Sequence, residues 1–402
     1  MSGSSLLTGL LVARSETREG FGTFALAYSA LLLANSVLMA TVIKPFIALD
    51  DKTDAEAVRG RTGTYLTMQL VMSIVAGVAV VTAGVLAGAG TVFLALGVAI
   101  VPVHVLELMR RAFLQSLAVS RALLYNFSFA IANVTGLVVL TWAGRLTGVN
   151  AFLVMGASAF LAAVAAARAL GVRPERSAQA IRAEVRRAWV FTRWSAPVTL
   201  IESLEARGYA YFSAGVLGLT APALLETSRV LLAPTNILMF PLANLGMPAV
   251  SHLSATGALG EIRRVVMQAV LIVTLVVGGY GLATWWFAEP LLGLLYGGRY
   301  DDAGPVVRAL VVAHLLGCLS SIVGLCLEAM GRPRHVFVAQ VWGGVAGLAV
   351  AWLLLSTVGV VGAAGGMAMG AAVALSLKAV ALRRELMARN GASIPGVIAP
   401  KV

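Results

Sequence analysis

Charged residues are scarce in this sequence, and cysteine is almost absent. Only 12% of its 402 residues are charged, whereas 59% are hydrophobic. No polar stretch is long enough to fold around a core of its own, which excludes a soluble catalytic domain. The two cysteines, Cys318 and Cys326, lie on one predicted helix about 12 Å apart along its axis. A disulfide between them is therefore excluded.

The signatures of common enzymes and metal sites are missing as well. The sequence has no H-E-x-x-H, P-loop or G-x-S-x-G motif, and with 4 His and 2 Cys it does not support zinc, haem or iron–sulfur sites. We therefore expect no catalytic residue, no bound metal and no cofactor. The net charge of +12 has a simpler source than nucleic-acid binding, as the distribution of basic residues indicates.

Long apolar runs fill most of the chain. Eleven of them are long enough to cross a bilayer, which takes roughly 20 apolar residues. They are Phe21–Leu49, Tyr65–Ala87, Val92–Met109, Leu123–Trp142, Val149–Ala167, Ala196–Leu219, Leu224–Val250, Val265–Phe287, Val306–Met330, Val336–Leu355 and Val360–Val380. A twelfth, Leu6–Ala13, has half the length. Because a bilayer offers backbone groups no partners, each span is predicted to be a helix.

The predicted fold is therefore an all-α membrane protein of about twelve transmembrane helices, in two pseudo-symmetric six-helix bundles with a short first helix. If the N-terminus is cytoplasmic, 21 of the 30 Lys and Arg residues fall in inside loops and 4 in outside loops. This bias follows the positive-inside rule and predicts that both termini are cytoplasmic. It also explains the net positive charge without a nucleic-acid partner.

The longest polar loop divides the chain into predicted domains: a first bundle at 1–172, a basic linker at 173–193, a second bundle at 194–386 and a cytoplasmic tail at 387–402. Ile181, Val185 and Ala188 recur at helical spacing in the linker, among several arginines. This pattern is typical of an amphipathic helix on anionic lipids, with a solvated linker as the alternative.

A short internal similarity supports two related halves. The segment Thr8–Leu11 resembles Ala214–Leu217, and each precedes a short polar turn and a long apolar helix. Internal repeats in transporters place the substrate between the halves. The offset also makes the first helix look incomplete, so we expect either a native start ten to fifteen residues upstream of Met1 or a truncated, impaired chain.

Two segments resemble a known family. Leu10–Leu31 has an arginine, a short acidic turn and an aromatic-Gly-x-aromatic helix start, represented by Arg14, Glu16 or Glu19, Phe21, Gly22 and Phe24. Phe287–Leu310 has an acidic-Pro pair followed by aromatic-Gly-x-x-Tyr, represented by Glu289, Pro290, Tyr296, Gly297, Tyr300 and Ala303. Both resemble the multidrug/oligosaccharidyl-lipid/polysaccharide (MOP) exporter superfamily, in its Wzx-type polysaccharide branch.

This resemblance implies an alternating-access flippase for polyprenyl-pyrophosphate-linked glycan. It implies a place in polysaccharide or lipopolysaccharide biosynthesis in a bacterial cytoplasmic membrane. Glycosyltransferases or a polymerase of the same pathway would then be partners. We interpret the second segment itself as mainly structural, with Asp301 and Asp302 capping the following helix.

Polar side chains form stripes on two neighbouring spans. Those on span seven are Ser195, Thr199, Glu202, Glu205, Tyr209 and Ser213, and those on span eight are Glu226, Arg229, Asn236 and Asn244. Because ionisable groups inside a membrane usually face a cavity, these stripes predict a water-filled cleft between the halves. The alternative is a set of self-neutralising pairs, Glu226 with Arg229 or Glu205 with Arg207.

The cleft gives the candidate site. Substrate ligands are expected to be cationic for the pyrophosphate, with Arg229 first, and polar for the sugars. They are Arg229, Arg207, Arg14, Lys44, Asn35, Ser195, Tyr209, Asn236 and Asn244. Lys44 lies near the end of its span, where snorkelling is the simpler interpretation. The candidate coupling carboxylates are Glu202, Glu205 and Glu226.

Other functions stay open at this point. A cation-coupled multidrug exporter of the same superfamily would use the carboxylates and aromatics rather than the arginines. A membrane enzyme of glycan assembly would usually have a large external loop, which the sequence lacks. A major-facilitator transporter would also have twelve spans, but the loop Asp50–Gly63 matches its G-x-x-x-D-R-x-G-R motif only in scattered positions.

Overall fold

The computed structural model describes residues 3–48, 55–235, 249–254 and 256–392, and the single positions 239, 242 and 246. Within these ranges it does not describe the side chains of residues 3, 48, 55–59, 191, 194, 195, 198, 202 and 389–392. Every regular element of this described part is helical, and it contains no strand. The predicted all-α fold class is confirmed.

Contacts divide the chain into two compact units, Met1–Ala223 and Leu224–Val402. The helices of the first unit are α1 (Gly3–Ser15), α2 (Arg18–Leu38), α3 (Lys44–Ala48), α4 (Ala55–Leu86), α5 (Gly90–Gln115), α6 (Val119–Trp142), α7 (Gly148–Leu170) and α8 (Ala178–Leu217). A π-helical turn, Met39–Ile43, joins α2 to α3. The next helix, α9 (Thr220–Leu232), begins at the end of this unit.

The second unit contains most of α9 and a 3₁₀ turn at Ala233–Thr235. Its later helices are α10 (Leu259–Trp286), α11 (Ala288–Tyr296), α12 (Gly304–Ala329), α13 (Pro333–Val358) and α14 (Val360–Ala392). A second 3₁₀ turn, Asp301–Ala303, leads into α12.

Nine helices of the described residues are long and apolar enough to cross a membrane. They are Arg18–Ile47, Gly60–Leu86, Gly90–Gln115, Val119–Trp142, Gly148–Leu170, Leu259–Trp286, Asp301–Ala329, Pro333–Val358 and Val360–Ala388. Nine of the eleven predicted spans are thereby confirmed. The other two are Ala196–Leu219, most of which lies in the more polar helix α8, and Leu224–Val250, which falls partly outside the described residues. The protein is a multi-pass membrane protein.

The first unit is built around α5, which packs against both α4 and α7. Small residues allow these close approaches, as is usual between membrane helices. A Cβ atom on Gly77 would lie 3.0 Å from the carbonyl oxygen of Gly97, and one on Gly156 would lie 3.0 Å from the Cα atom of Ala99. Aromatic residues fill the wider part of the core, where Phe46 packs on Tyr65 with ring centroids 5.2 Å apart.

In the second unit, α14 packs against both α13 and α12. The contact with α13 is again a backbone-to-backbone approach. A Cβ atom on Gly343 would lie 2.7 Å from the carbonyl oxygen of Gly370, and one on Gly366 would lie 2.5 Å from that of Gly347. These glycines therefore fix α13 and α14 as one closely packed pair.

The boundary between the two units of the structure, after Ala223, differs from the domain boundary that the polar loop of the sequence predicts. Residues 178–193 are the first turns of α8, a single helix of 40 residues, so the predicted helix in the basic segment is present. Later turns of α8 pack on α2 and on the π turn of the first unit. The linker at 173–193 as a domain boundary, and its position on a membrane surface, stay predictions.

The turn between α1 and α2 has a structural role in the first family-like segment. Thr17 caps α2 by accepting from the backbone N–H of Gly20 at 3.1 Å. The Oε1 atom of Glu16 accepts from the backbone N–H of Gly148 at 2.8 Å, at the start of α7. At Gly22 a Cβ atom would overlap the carbonyl oxygen of Leu219. The acidic turn and the glycine thus serve helix packing.

The second family-like segment also ties helices together. The Glu289 carboxylate accepts two hydrogen bonds from the Arg308 guanidinium, at 2.8 and 2.9 Å, which joins α11 to α12. Asp301 and Asp302 form the 3₁₀ turn directly before α12, whose N-cap residue is Ala303, without a side-chain cap hydrogen bond. The two carboxylates thus precede the N-cap position, and their predicted capping role stays a prediction.

Candidate functional site

The candidate site in the first unit lies where the end of α2 meets α8. Lys44 follows the π turn directly, and its side chain is exposed. Its Nζ atom donates to the Oγ1 atom of Thr199 on α8 at 3.1 Å. We call this pair the Lys44–Thr199 contact. It brings an ammonium group onto the polar stripe that the sequence predicted for span seven.

Local hydrogen bonds hold both sides of this contact in place. On α8 the Ser203 hydroxyl donates to the carbonyl oxygen of Thr199 at 2.7 Å. The Tyr211 hydroxyl donates to the carbonyl oxygen of Leu26 at 3.0 Å and so fastens α8 to α2. The π turn adds a residue to the helical turn before Lys44, a feature that is frequent at functional sites. Lys44 is therefore set at a defined point along α8.

The remaining site residues predicted in the first unit are distributed over three helices. Arg14 is exposed at the end of α1, and Asn35 is half-buried in α2. On α8, Glu205 and Arg207 are half-buried, and Tyr209 is buried. Ser195 and Glu202 also lie on α8, but their side chains are outside the described residues. The site roles of all these residues stay predictions.

In the second unit, Arg229 and Glu226 form the ion pair that the sequence analysis left open as the alternative. The Nη1 atom of Arg229 lies 3.7 Å from the Oε2 atom of Glu226, and the two side chains are 17% and 12% exposed. The Nη2 atom of Arg229 also lies 3.7 Å from the Met367 sulfur on α14. Arg229 is thus partly neutralised, while Asn236 and Asn244 lie outside the described residues.

These observations concern each unit by itself. Lys44 and Thr199 belong to the first unit, and Glu226 and Arg229 to the second. The cleft between the halves that would unite them stays a prediction.

One buried cation was not singled out by the sequence analysis. Lys378 lies in α14, is only 4% exposed and donates to side chains of two other helices. A signal was available, since a lone lysine inside the last apolar span is itself unusual. Within the described residues, no group of three or more His, Cys, Asp or Glu side chains is placed to hold a metal ion.

The chain is similar to known proteins in its structure and not in its sequence. No family model matches the chain, and no curated protein matches its sequence. The chain is similar to an inward-facing multidrug resistance MATE family transporter of the MOP superfamily, with a TM-score of 0.77 at 14% identity. The match covers 97% of this chain and 96% of the other. The chain has the MOP superfamily fold.

Two further structures share this MOP fold. The lipid II flippase MurJ, in an inward closed conformation, has a TM-score of 0.75 at 10% identity, covering 96% of this chain and 87% of the other. The eukaryotic MATE transporter AtDTX14 has a TM-score of 0.63 at 14% identity, covering 97% and 98%. The predicted resemblance is confirmed for the superfamily fold, and the Wzx-type branch stays a proposal.

Proposed function

We propose that this protein is a flippase for polyprenyl-pyrophosphate-linked glycan, working by alternating access. The observation that carries the proposal is the Lys44–Thr199 contact, in which an exposed ammonium lies 3.1 Å from a hydroxyl on a polar helix face. A pyrophosphate needs a cationic partner, and sugar hydroxyls need neutral polar ones. This contact offers both within one unit.

The second unit supports an anionic rather than a cationic substrate. A cationic drug would have to bind a carboxylate such as Glu226, which already faces Arg229 at 3.7 Å. Binding there would leave the guanidinium without its counter-charge inside the membrane, which is costly. A phosphate group, in contrast, would add a second acceptor to Arg229. Arg229 is therefore a further ligand in this proposal. Arg207 and Arg14 of the first unit are proposed as additional cationic ligands.

The exporter alternative keeps one specific observation in its favour. Glu205 lies about 40° from Tyr209 around α8 by helical spacing, and its side chain is half-buried. Coupling through Glu202, Glu205 or Glu226 would suit a cation-driven exporter equally well. An enzyme of glycan assembly is disfavoured, since the similar structures carry the names of transporters and of a flippase.

The proposed cellular setting rests on the family resemblance and on the distribution of basic residues. The flippase lies in a bacterial cytoplasmic membrane with both termini in the cytoplasm. It takes its substrate from glycosyltransferases and passes it to a polymerase of one polysaccharide pathway. The exposed arginines near the start of α8, such as Arg182 and Arg186, contact anionic lipid headgroups.

Two transport assays on the purified full chain distinguish the candidates. In liposomes, we expect rapid transfer of a fluorescent polyprenyl-pyrophosphate oligosaccharide between leaflets, measured by quenching from outside. We expect no accumulation of ethidium under a sodium or proton gradient. Ethidium transport without transfer of the lipid-linked glycan would contradict the proposal and favour the exporter.

A further inference from the structure

A buried ammonium joins three helices of the second unit. Lys378 of α14 is 4% exposed, and its Nζ atom donates to the Ser320 hydroxyl of α12 at 3.1 Å. The same atom donates to the Oε1 atom of Gln340 on α13 at 2.8 Å. Lys378 lies two residues before Val380, where the apolar run of this helix ends, and Arg383 and Arg384 follow on the same helix. Unlike those arginines, which are exposed, Lys378 is buried between helices.

Closely packed helices confine the ammonium group of Lys378. Gly324 follows Ser320 by one helical turn, and a Cβ atom built there would lie 3.5 Å from Nζ of Lys378. The backbone of α12 therefore approaches the cation closely. On the other side, α13 and α14 are held together by the glycine contacts at Gly343 and Gly366. Two oxygen ligands thus converge on one point in a rigid part of the bundle.

A cation at this place is expensive. A lysine near the end of a membrane helix usually extends its ammonium group to water, but Lys378 is buried among three helices. Burying a charged group is unfavourable unless it is paired or hydrogen-bonded. A leucine or methionine would pack against the same helices without that cost, so a purely space-filling role does not account for the charge. Oxygen atoms of a hydroxyl and an amide are, however, suitable ligands for a monovalent cation.

We propose that Ser320 and Gln340 contribute to a monovalent-cation site that the chain fills with its own ammonium group, Lys378. The site resembles one for a small exchangeable cation in its ligands, but its cation is covalently tethered. The cation at this point therefore comes from the chain itself and not from an ion in solution. This inference does not depend on the substrate proposed above.

The proposal is tested by replacing Lys378 and supplying a free ammonium ion in its place. In purified full-length protein, Lys378→Ala removes the ammonium and leaves its ligands. We expect a melting temperature several degrees lower than that of the unchanged protein, and a recovery that saturates with rising ethylammonium chloride. Choline chloride at equal ionic strength should give no recovery, because choline is too large. The unchanged protein should respond to neither salt.

Matched variants keep the result decisive. In Lys378→Ala/Gln340→Leu, where one oxygen ligand is also missing, ethylammonium should no longer raise the melting temperature. Absence of rescue in Lys378→Ala, or equal rescue in the double variant, would overturn the proposal.

If Lys378→Ala does not fold, a second pair of variants still tests the proposal. Both members of this pair keep the lysine and change only Gln340. Gln340→Glu places a carboxylate beside the ammonium and should melt at a higher temperature than Gln340→Leu. If Gln340→Glu melts at or below the temperature of Gln340→Leu, the cation site is contradicted.

Discussion

The Nζ atom of Lys44 lies 3.1 Å from the Oγ1 atom of Thr199, although 155 residues separate the two in the chain. Lys44 stands just after the π turn that ends α2, and Thr199 stands on the polar stripe of α8. The contact therefore fixes an exposed cation against neutral polar groups. In our proposal this is where the first unit binds the pyrophosphate of the substrate.

Thr199→Val should weaken transport without abolishing it. Valine has nearly the same shape but removes the acceptor for Lys44, so the ammonium is retained and is less well positioned. A hydrogen bond to a charged group is worth about 1.5–3 kcal/mol, which corresponds to a loss of roughly tenfold or more in the rate of glycan transfer. Thr274→Val is the control, since Thr274 is exposed on α10 and donates only within its own helix. Equal rates for both variants would remove Thr199 from the site.

The Glu226–Arg229 pair predicts a non-additive effect on stability. Glu226→Gln leaves the partly buried guanidinium without the carboxylate that lies 3.7 Å away, so the melting temperature should fall. The double change Glu226→Gln/Arg229→Met removes both charges and should melt at a higher temperature than Glu226→Gln alone. A double-mutant cycle with additive effects would show that the two side chains are not coupled.

Gly22 should tolerate no larger side chain. A Cβ atom there would overlap the carbonyl oxygen of Leu219, and a backbone oxygen cannot move aside as a flexible side chain can. We expect Gly22→Ala to lower the melting temperature and the yield of folded protein sharply. Gly215→Ala is the matched control, because a Cβ atom at Gly215 meets nothing within 4 Å. Similar stability of the two variants would contradict the close approach of α2 to the backbone at Leu219.

The helices were predictable from the sequence because hydropathy acts locally. Nine predicted spans coincide with described helices, and a pair spaced i,i+3 such as Glu226 and Arg229 follows from helical geometry alone. The polar stripe on span seven could likewise be read from spacing. The place of Asp301 and Asp302 before the next helix was a local inference too, but the 3₁₀ turn that they form, with Ala303 as the N-cap residue, was not predicted.

Contacts between distant helices could not be read in the same way. The π turn at Met39–Ile43 adds a residue to the turn, which rotates everything after it by about 100° relative to a regular helix. The direction of the Lys44 side chain could therefore not be predicted from α-helical periodicity. Lys378 poses a similar difficulty, since its ligands Ser320 and Gln340 lie on two other helices. Their convergence depends on how glycines set the spacing of α13 and α14.

The proposed role of Lys44 in binding pyrophosphate is tested most directly by removing the positive charge at position 44. Lys44→Ala and Lys44→Arg should be compared in liposomes for transfer of a fluorescent polyprenyl-pyrophosphate oligosaccharide, with Arg121→Ala, an exposed arginine on α6, as control. We predict at least a tenfold slower transfer for Lys44→Ala, near-normal transfer for Arg121→Ala, and partial retention for Lys44→Arg, which keeps the charge but not its compact shape. Transfer by Lys44→Ala at the rate of the unchanged protein would contradict the account.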